Sequence, residues 1–155
     1  MTNSDLARHL RDLHAFLVIA GYDEMHARRY LHLSSEIDSM GEEVEQLAVE
    51  GRLREIPGVG PSVAEYIKEI LATGKSSKQA EWEKGVPWSV VELLRIPGLG
   101  LKTAAKLVHQ YRIHSLDDLR TALDNGMLTS APGIGNKTLQ TWRDRLTSLE
   151  SSRPG

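Results

Sequence analysis

Cysteine is absent from the 155 residues, which excludes both a disulfide framework and a thiolate metal site. No apolar run is long enough to cross a bilayer, and the basic-then-apolar start of a secretory signal is missing. A cytoplasmic location without membrane partners is therefore expected. No segment carries the strict alternation of a half-buried strand. The six histidines are scattered, and neither His9 with His14 nor His26 with His32 has the spacing of a metal pair, so zinc is not indicated. What remains is a chain with 40% hydrophobic residues, enough for a packed core in one domain or two small ones.

Net charge is also scarce, at −2, but it is unevenly placed. Residues 1–55 hold 6 Lys+Arg against 11 Asp+Glu, residues 56–100 hold 5 against 5, and residues 101–155 hold 8 against 5. The acidity thus sits in the first third. Glu42, Glu43 and Glu45 suit the first turn of a short helix, where negative charge meets the positive dipole end.

Against this background one pattern repeats. Pro57-Gly58-Val59-Gly60, Pro97-Gly98-Leu99-Gly100 and Pro132-Gly133-Ile134-Gly135 each join two helix-like stretches. A glycine that takes positive φ turns the chain sharply and uncovers backbone N–H groups. The aliphatic residue between the glycines points inward, and the next helix presents its free N–H groups at the same place. This is the helix-hairpin-helix pattern, and its chemistry suits a phosphate. Ala64 and Ala104, four positions past the second glycine, allow close helix approach, whereas the third copy has Leu139 there. Ligand contact and simple packing both stay open for that third hairpin.

The chain reads as all-α, with tandem helix-hairpin-helix repeats in two small helical lobes, residues 1–80 and 81–150, and a frayed tail at 151–155. Leu6, Leu10, Leu13, Leu17 and Ala20 mark a first helix ending near Gly21. Asp23 caps a second, with Ala27, Tyr30, Leu31 and Ile37 on one side, and Val44, Leu47 and Ala48 form a third that stops at Gly51. The helix after Pro61 carries Val63, Ala64, Ile67, Ile70 and Leu71 and ends at Thr73-Gly74. Residues 74–87 read as the boundary between lobes. Ser89 with Glu92, and Ser115 with Asp118, have capping-box spacing. Leu139, Trp142 and Leu146 mark the final helix, and the three tryptophans, Trp82, Trp88 and Trp142, read first as packing residues and second as stacking surfaces for bases.

The ordered series Ala27-Arg28-Arg29-Tyr30, Ile56-Pro57-Gly58-Val59-Gly60, Leu71-Ala72-Thr73-Gly74-Lys75 and Leu94-Arg95-Ile96-Pro97-Gly98-Leu99-Gly100 resembles the amino-terminal part of family X DNA polymerases, over residues 4–146. The resemblance covers a lyase-type domain and the following helix-hairpin-helix subdomain, without the polymerase palm. In that family the first domain often cleaves deoxyribose phosphate through a lysine imine. The resemblance puts that lysine two positions after Ala64, where this chain has Tyr66, which cannot form an imine. Lys68 faces roughly 200° away at about 100° per residue. Lys75 and Lys78 reach inward only if the following segment folds back. Ser62 and His26 stand at further positions where the family has basic residues.

The reading is a non-catalytic, non-sequence-specific DNA-binding protein, nucleoid-associated if bacterial, that prefers gapped, nicked or 5′-phosphorylated ends. Repair proteins are expected partners. The expected contacts are Tyr30, Arg54, Gly58, Val59, Gly60 and Ser62 around the first hairpin; Gly98, Leu99, Gly100, Lys102, Thr103 and Lys106 around the second; and Gly133, Gly135 and Lys137 around the third. No cofactor is required. The resemblance further implies an Na+ or K+ ion on the backbone carbonyls of Leu94, Ile96 and Leu99. Two other readings stay open: a lyase using a non-standard lysine, and a protein-interaction module that has lost DNA.

Overall fold

The structure, a computed structural model, describes residues 1–152 and divides into two compact units, Met1–Gly85 and Val86–Gly155. Every regular element among the described residues is helical.

The first unit is built on α1 (Asn3–Ala20) and α2 (Glu24–Asp38), which pack along each other. Thr2 and Asp5 form a reciprocal capping box at the start of α1, with Asp5 N–H donating to Thr2 Oγ1 at 3.1 Å and Thr2 N–H to Asp5 Oδ2 at 3.0 Å. Gly21, at φ 94°, ends α1 in the left-handed conformation, and Asp23 caps α2. Leu6, Leu10, Leu13, Leu17 and Phe16 are fully buried against Ala27, Tyr30, Leu33 and Ile37 of α2 or its surroundings. Each such leucine contributes about 1.5–3 kcal/mol relative to exposure. Leu33 occupies the buried face of α2, while Leu31, expected there, is half-buried. α3 (Val44–Val49) is tied back to α1, because Asn3 Nδ2 donates to Glu42 O and Asn3 Oδ1 accepts from Val44 N–H, both at 2.8 Å.

A 3-10 turn at Leu53–Glu55 leads through the first hairpin into α4 (Pro61–Thr73). The stretch read as a boundary, 74–87, instead contains α5 (Ser77–Trp82), capped by Ser76. The carboxylate of Glu69 on α4 accepts from Ser77 N–H at 2.9 Å, and the Trp82 ring packs edge-on to Tyr30 and tilted to Tyr66, with centroids 6.1 Å and 6.0 Å apart. A serine cap followed by Lys-Gln-Ala-Glu is a helix signal that the glycines at 74 and 85 obscured.

In the second unit a 3-10 segment, Trp88–Arg95, precedes the second hairpin, followed by α6 (Leu101–Tyr111), α7 (Leu116–Asp124) and α8 (Asn136–Ser151). The expected capping box at Ser89 and Glu92 does not form. Ser89 Oγ donates to His114 O at 2.6 Å and Glu92 Oε1 accepts from Leu116 N–H at 3.2 Å, so both residues anchor the α6–α7 connection. Pro87 precedes the segment, which winds as 3-10 and never offers the α-helical donors a box requires. Ser115 does cap α7, accepting from Asp118 N–H. Leu139, Trp142 and Leu146 of α8 are buried, and α8 packs on α7. Ser151 closes α8 rather than opening a frayed tail, and residues 153–155 lie outside the described residues.

Candidate nucleic-acid interface

The three hairpins share one backbone construction. Val59 N–H donates to Ile56 O at 3.1 Å, Leu99 N–H to Ile96 O at 3.1 Å, and Ile134 N–H to Ala131 O at 3.2 Å. Proline takes the first inner position of each turn, and the glycine after it takes φ of 89°, 89° and 79° at Gly58, Gly98 and Gly133. That combination is the type II turn, whose second inner residue must have positive φ. The aliphatic residue is buried each time, with Val59 at 7%, Leu99 at 4% and Ile134 at 7% exposure, so the turn is pinned by its own core contact.

The second glycine is the N-cap. Gly60, Gly100 and Gly135 have extended backbone, and their carbonyls accept the first helical bonds from Ala64, Ala104 and Leu139 at 2.9, 2.9 and 3.1 Å. None of these three helices has a side-chain cap or an acidic residue in its first turn. Each of the other five has a side-chain oxygen on an N-terminal N–H: Thr2 for α1, Asp23 for α2, Asn3 for α3, Ser76 for α5 and Ser115 for α7. Among the α-helices of the described residues, the hairpin helices alone present their positive ends without a side-chain acceptor. A Cβ built on Gly60, Gly100 or Gly135 meets nothing within 4 Å, so the space in front of each is open.

Around the first hairpin, Arg54 and Ser62 are exposed, and Arg54 lines a 260 Å³ cleft with Pro61, Ala64 and Lys68. Arg52, two residues away, is held by the carboxylates of Glu42, Glu50 and Glu55, which keep its guanidinium pKa above the usual arginine range. Those carboxylates spend their charge on Arg52. Tyr30 is placed inside the unit, 3% exposed, with burial pushing its phenol pKa up. It contributes a wall, not an exposed contact. Tyr66 is also buried, stacked on His9 and close to Tyr30 and Trp82, and burial above all raises its pKa. Lys68 turns outward to Glu65. Because α5 folds back, the amine of Lys78 reaches the hydroxyl of Ser62, at the start of α4.

In the second unit, Lys102 is exposed and Thr103 half-buried on the first turn of α6. Lys106 departs from its expected place along a contact surface: its amine lies on the carbonyl of Pro132 in the third hairpin. Lys137 is exposed on the first turn of α8. Arg145 was not among the expected residues, yet its guanidinium lies on the carbonyl of Pro97 in the second hairpin. Its signal was the spacing 137, 141, 145, which places Lys137, Thr141 and Arg145 on one helical face.

Two family models match this chain: a helix-hairpin-helix domain over residues 1–76 and a SAM-like helix-hairpin-helix tandem over residues 90–148. Relatives include the DNA polymerase/3'-5' exonuclease PolX of Bacillus subtilis (strain 168), 25% identical over 89% of this chain and 24% of the relative. DNA polymerase lambda of Rattus norvegicus is 38% identical over 63% of this chain and 16% of its own length. That of Arabidopsis thaliana is 30% identical over 64% and 18%. By these matches the chain is similar to the helix-hairpin-helix region of family X DNA polymerases. This helix-hairpin-helix chain spans less than a quarter of the length of those relatives, and its match lies in their amino-terminal region, not in the catalytic palm. No described helix is long and apolar enough to cross a membrane.

Proposed function

We propose that this chain is a DNA-binding module for repair that grips phosphates through its hairpins, reads no base sequence, and prefers gapped, nicked or 5′-phosphorylated ends. The cytoplasm, or the nucleoid of a bacterium, suits that role. The observation that carries the reading is the division among helix starts: five are occupied by the chain's own side-chain oxygens, while the three hairpin starts are left to an outside acceptor. Names of the relatives, all DNA polymerases, agree with the ligand class. Gly58, Val59 and Gly60 with Arg54 and Ser62, Gly98, Leu99 and Gly100 with Lys102 and Thr103, and Gly133 and Gly135 with Lys137 supply the contacts. An Na+ or K+ ion on the carbonyls of Leu94, Ile96 and Leu99 belongs to the same reading, sharing Ile96 O with the Leu99 N–H that closes the turn, while Arg145 lies on the neighbouring Pro97 carbonyl.

Gly100→Asp separates folding from binding. The backbone at Gly100 is that of an ordinary N-cap, φ −91° and ψ −179°, with open space for the side chain. Aspartate there caps α6 internally and should stabilise the fold by about 0.5–1 kcal/mol. The same carboxylate occupies and repels the phosphate position, so affinity for a gapped duplex should fall at least tenfold by fluorescence anisotropy. A more stable variant with unchanged affinity would remove the second hairpin from the interface.

A second reading has one observation in its favour. The contact of Lys78 with Ser62 brings an amine to the lyase-type pocket from α5, although Tyr66 fills the position of the family's nucleophile. In this alternative, the free amine of Lys78 attacks the sugar aldehyde, water leaves as the imine forms, and β-elimination releases the 3′ strand. Borohydride trapping on abasic DNA distinguishes it from binding alone.

A further inference from the structure

Within the second unit, the turn of the second hairpin and one face of α8 enclose a 260 Å³ cleft lined by Pro97, Gly98, Lys137, Thr138, Thr141, Trp142 and Arg145. Two of these side chains are cations and none is acidic. Lys137 and Arg145 form no ion pair among the described residues, whereas Arg120 and Arg143 are matched by Glu150 and Asp124. Instead the Arg145 guanidinium rests on the Pro97 carbonyl, a neutral partner that leaves its charge uncompensated. Gly98 makes the room for it: a Cβ there would stand 2.9 Å from Arg145 Nη1. Thr138 is exposed beside these groups, and Thr141, whose hydroxyl donates to Lys137 O at 2.9 Å, closes the wall. Trp142, 3% exposed, adds apolar surface to the lining, and Arg145 itself stays exposed.

We infer that this cleft is a further phosphate seat beside the second hairpin, with Arg145 as its main ligand and with Thr138 and Lys137, which it shares with the third hairpin, completing it. A phosphate oxygen offers the guanidinium a charged acceptor in place of a carbonyl dipole, and charge-assisted bonds of this kind are about twice as strong as neutral ones. The seat adds to the hairpin donors at Gly100 and gives α8 a role in the interface even where the third hairpin itself only packs. This inference rests on the DNA-binding reading for its biological ligand, but the chemistry of the cleft is testable without DNA.

Inorganic phosphate titrated into the 15N-labelled chain should move the Arg145 Nε–H signal and the Gly98 and Thr138 amides along one saturable curve in NMR spectra. Arg145→Ala should abolish the Thr138 response, and a curve unchanged by that substitution overturns the site. On a gapped duplex, Arg145→Ala should weaken binding about fivefold and reduce the slope of log K against log salt by about one, while Arg145→Lys keeps the slope. A merely structural loss of the Pro97 brace would lower affinity and leave the slope alone, which also overturns the seat. Equal losses on 5′-phosphate and 5′-hydroxyl gaps assign it to internal phosphodiesters; a loss confined to the 5′-phosphate assigns it to the end group. A chain that binds phosphate in the cleft but ignores DNA supports the seat and defeats the hairpin reading. A chain that binds DNA with Arg145→Ala unchanged does the reverse.

Discussion

His9 Nε2 lies 2.6 Å from the hydroxyl of Tyr66, and the two rings stack with centroids 5.9 Å apart. The pair spans α1 and α4 and holds the Tyr66 ring in the interior of the first unit. Burial holds the His9 pKa below that of a free imidazole, near 6.5. The unfolded chain therefore takes up the proton first as pH falls. Stability from neutral His9 is complete above about pH 6.5 and is lost as pH drops from there through the lower folded value. His14, lowered by burial and then by Arg28, adds in the same direction. The urea midpoint of the chain should fall between about pH 7.5 and pH 5, and His9→Gln should flatten part of that fall. A midpoint independent of pH in this window would contradict the assignment.

Tyr66→Lys tests what an amine costs and does at this buried position. The new amine would replace a ring that is 1% exposed and in contact with His9, Tyr30 and Trp82. We expect a loss of about 2–4 kcal/mol in stability by chemical denaturation, because an amine must be buried and the ring cluster is emptied. Trapping on abasic DNA by the unmodified chain should stay at background. Efficient trapping that disappears in Lys78→Ala would transfer the chain to the lyases.

The glycines of one hairpin should differ in kind. Gly98→Ala meets both a left-handed backbone, φ 89°, and the Arg145 guanidinium, so it should destabilise by about 1–2 kcal/mol. Gly133→Ala, at φ 79° with Lys106 Nζ at an ordinary 3.5 Å, should lose only the backbone part of this. Thermal melts of the two variants check the order, and equal losses would show that Arg145 moves aside freely.

Salt dependence measures how many phosphates are held. The exposed cations Lys102, Lys137 and Arg145, in no ion pair among the described residues, fit with the hairpin donors two to four contacts and a slope of log K against log salt of about −2 to −4. Binding should change little with base sequence at fixed duplex shape. A steep dependence on sequence in anisotropy titrations would defeat a backbone-only interface.

By itself the sequence determined the helical class, the three turns and most helix ends, because each depends on neighbours a few residues apart. Glycine at positive φ, proline before it, and Asp23 or Ser115 at a helix start act over one turn of chain, so their spacing is their structure. It also marked Tyr66 as a residue unable to form an imine. Only the tertiary structure decided that Tyr30 is a wall, that the stretch after Gly74 folds back to bring Lys78 to Ser62, and that Lys106 and Arg145 lie on the hairpin carbonyls of Pro132 and Pro97. These contacts join residues 16, 26 and 48 positions apart through long, flexible cationic side chains. Where such a side chain comes to rest depends on which surfaces the packed helices bring within its reach, and no local pattern encodes that.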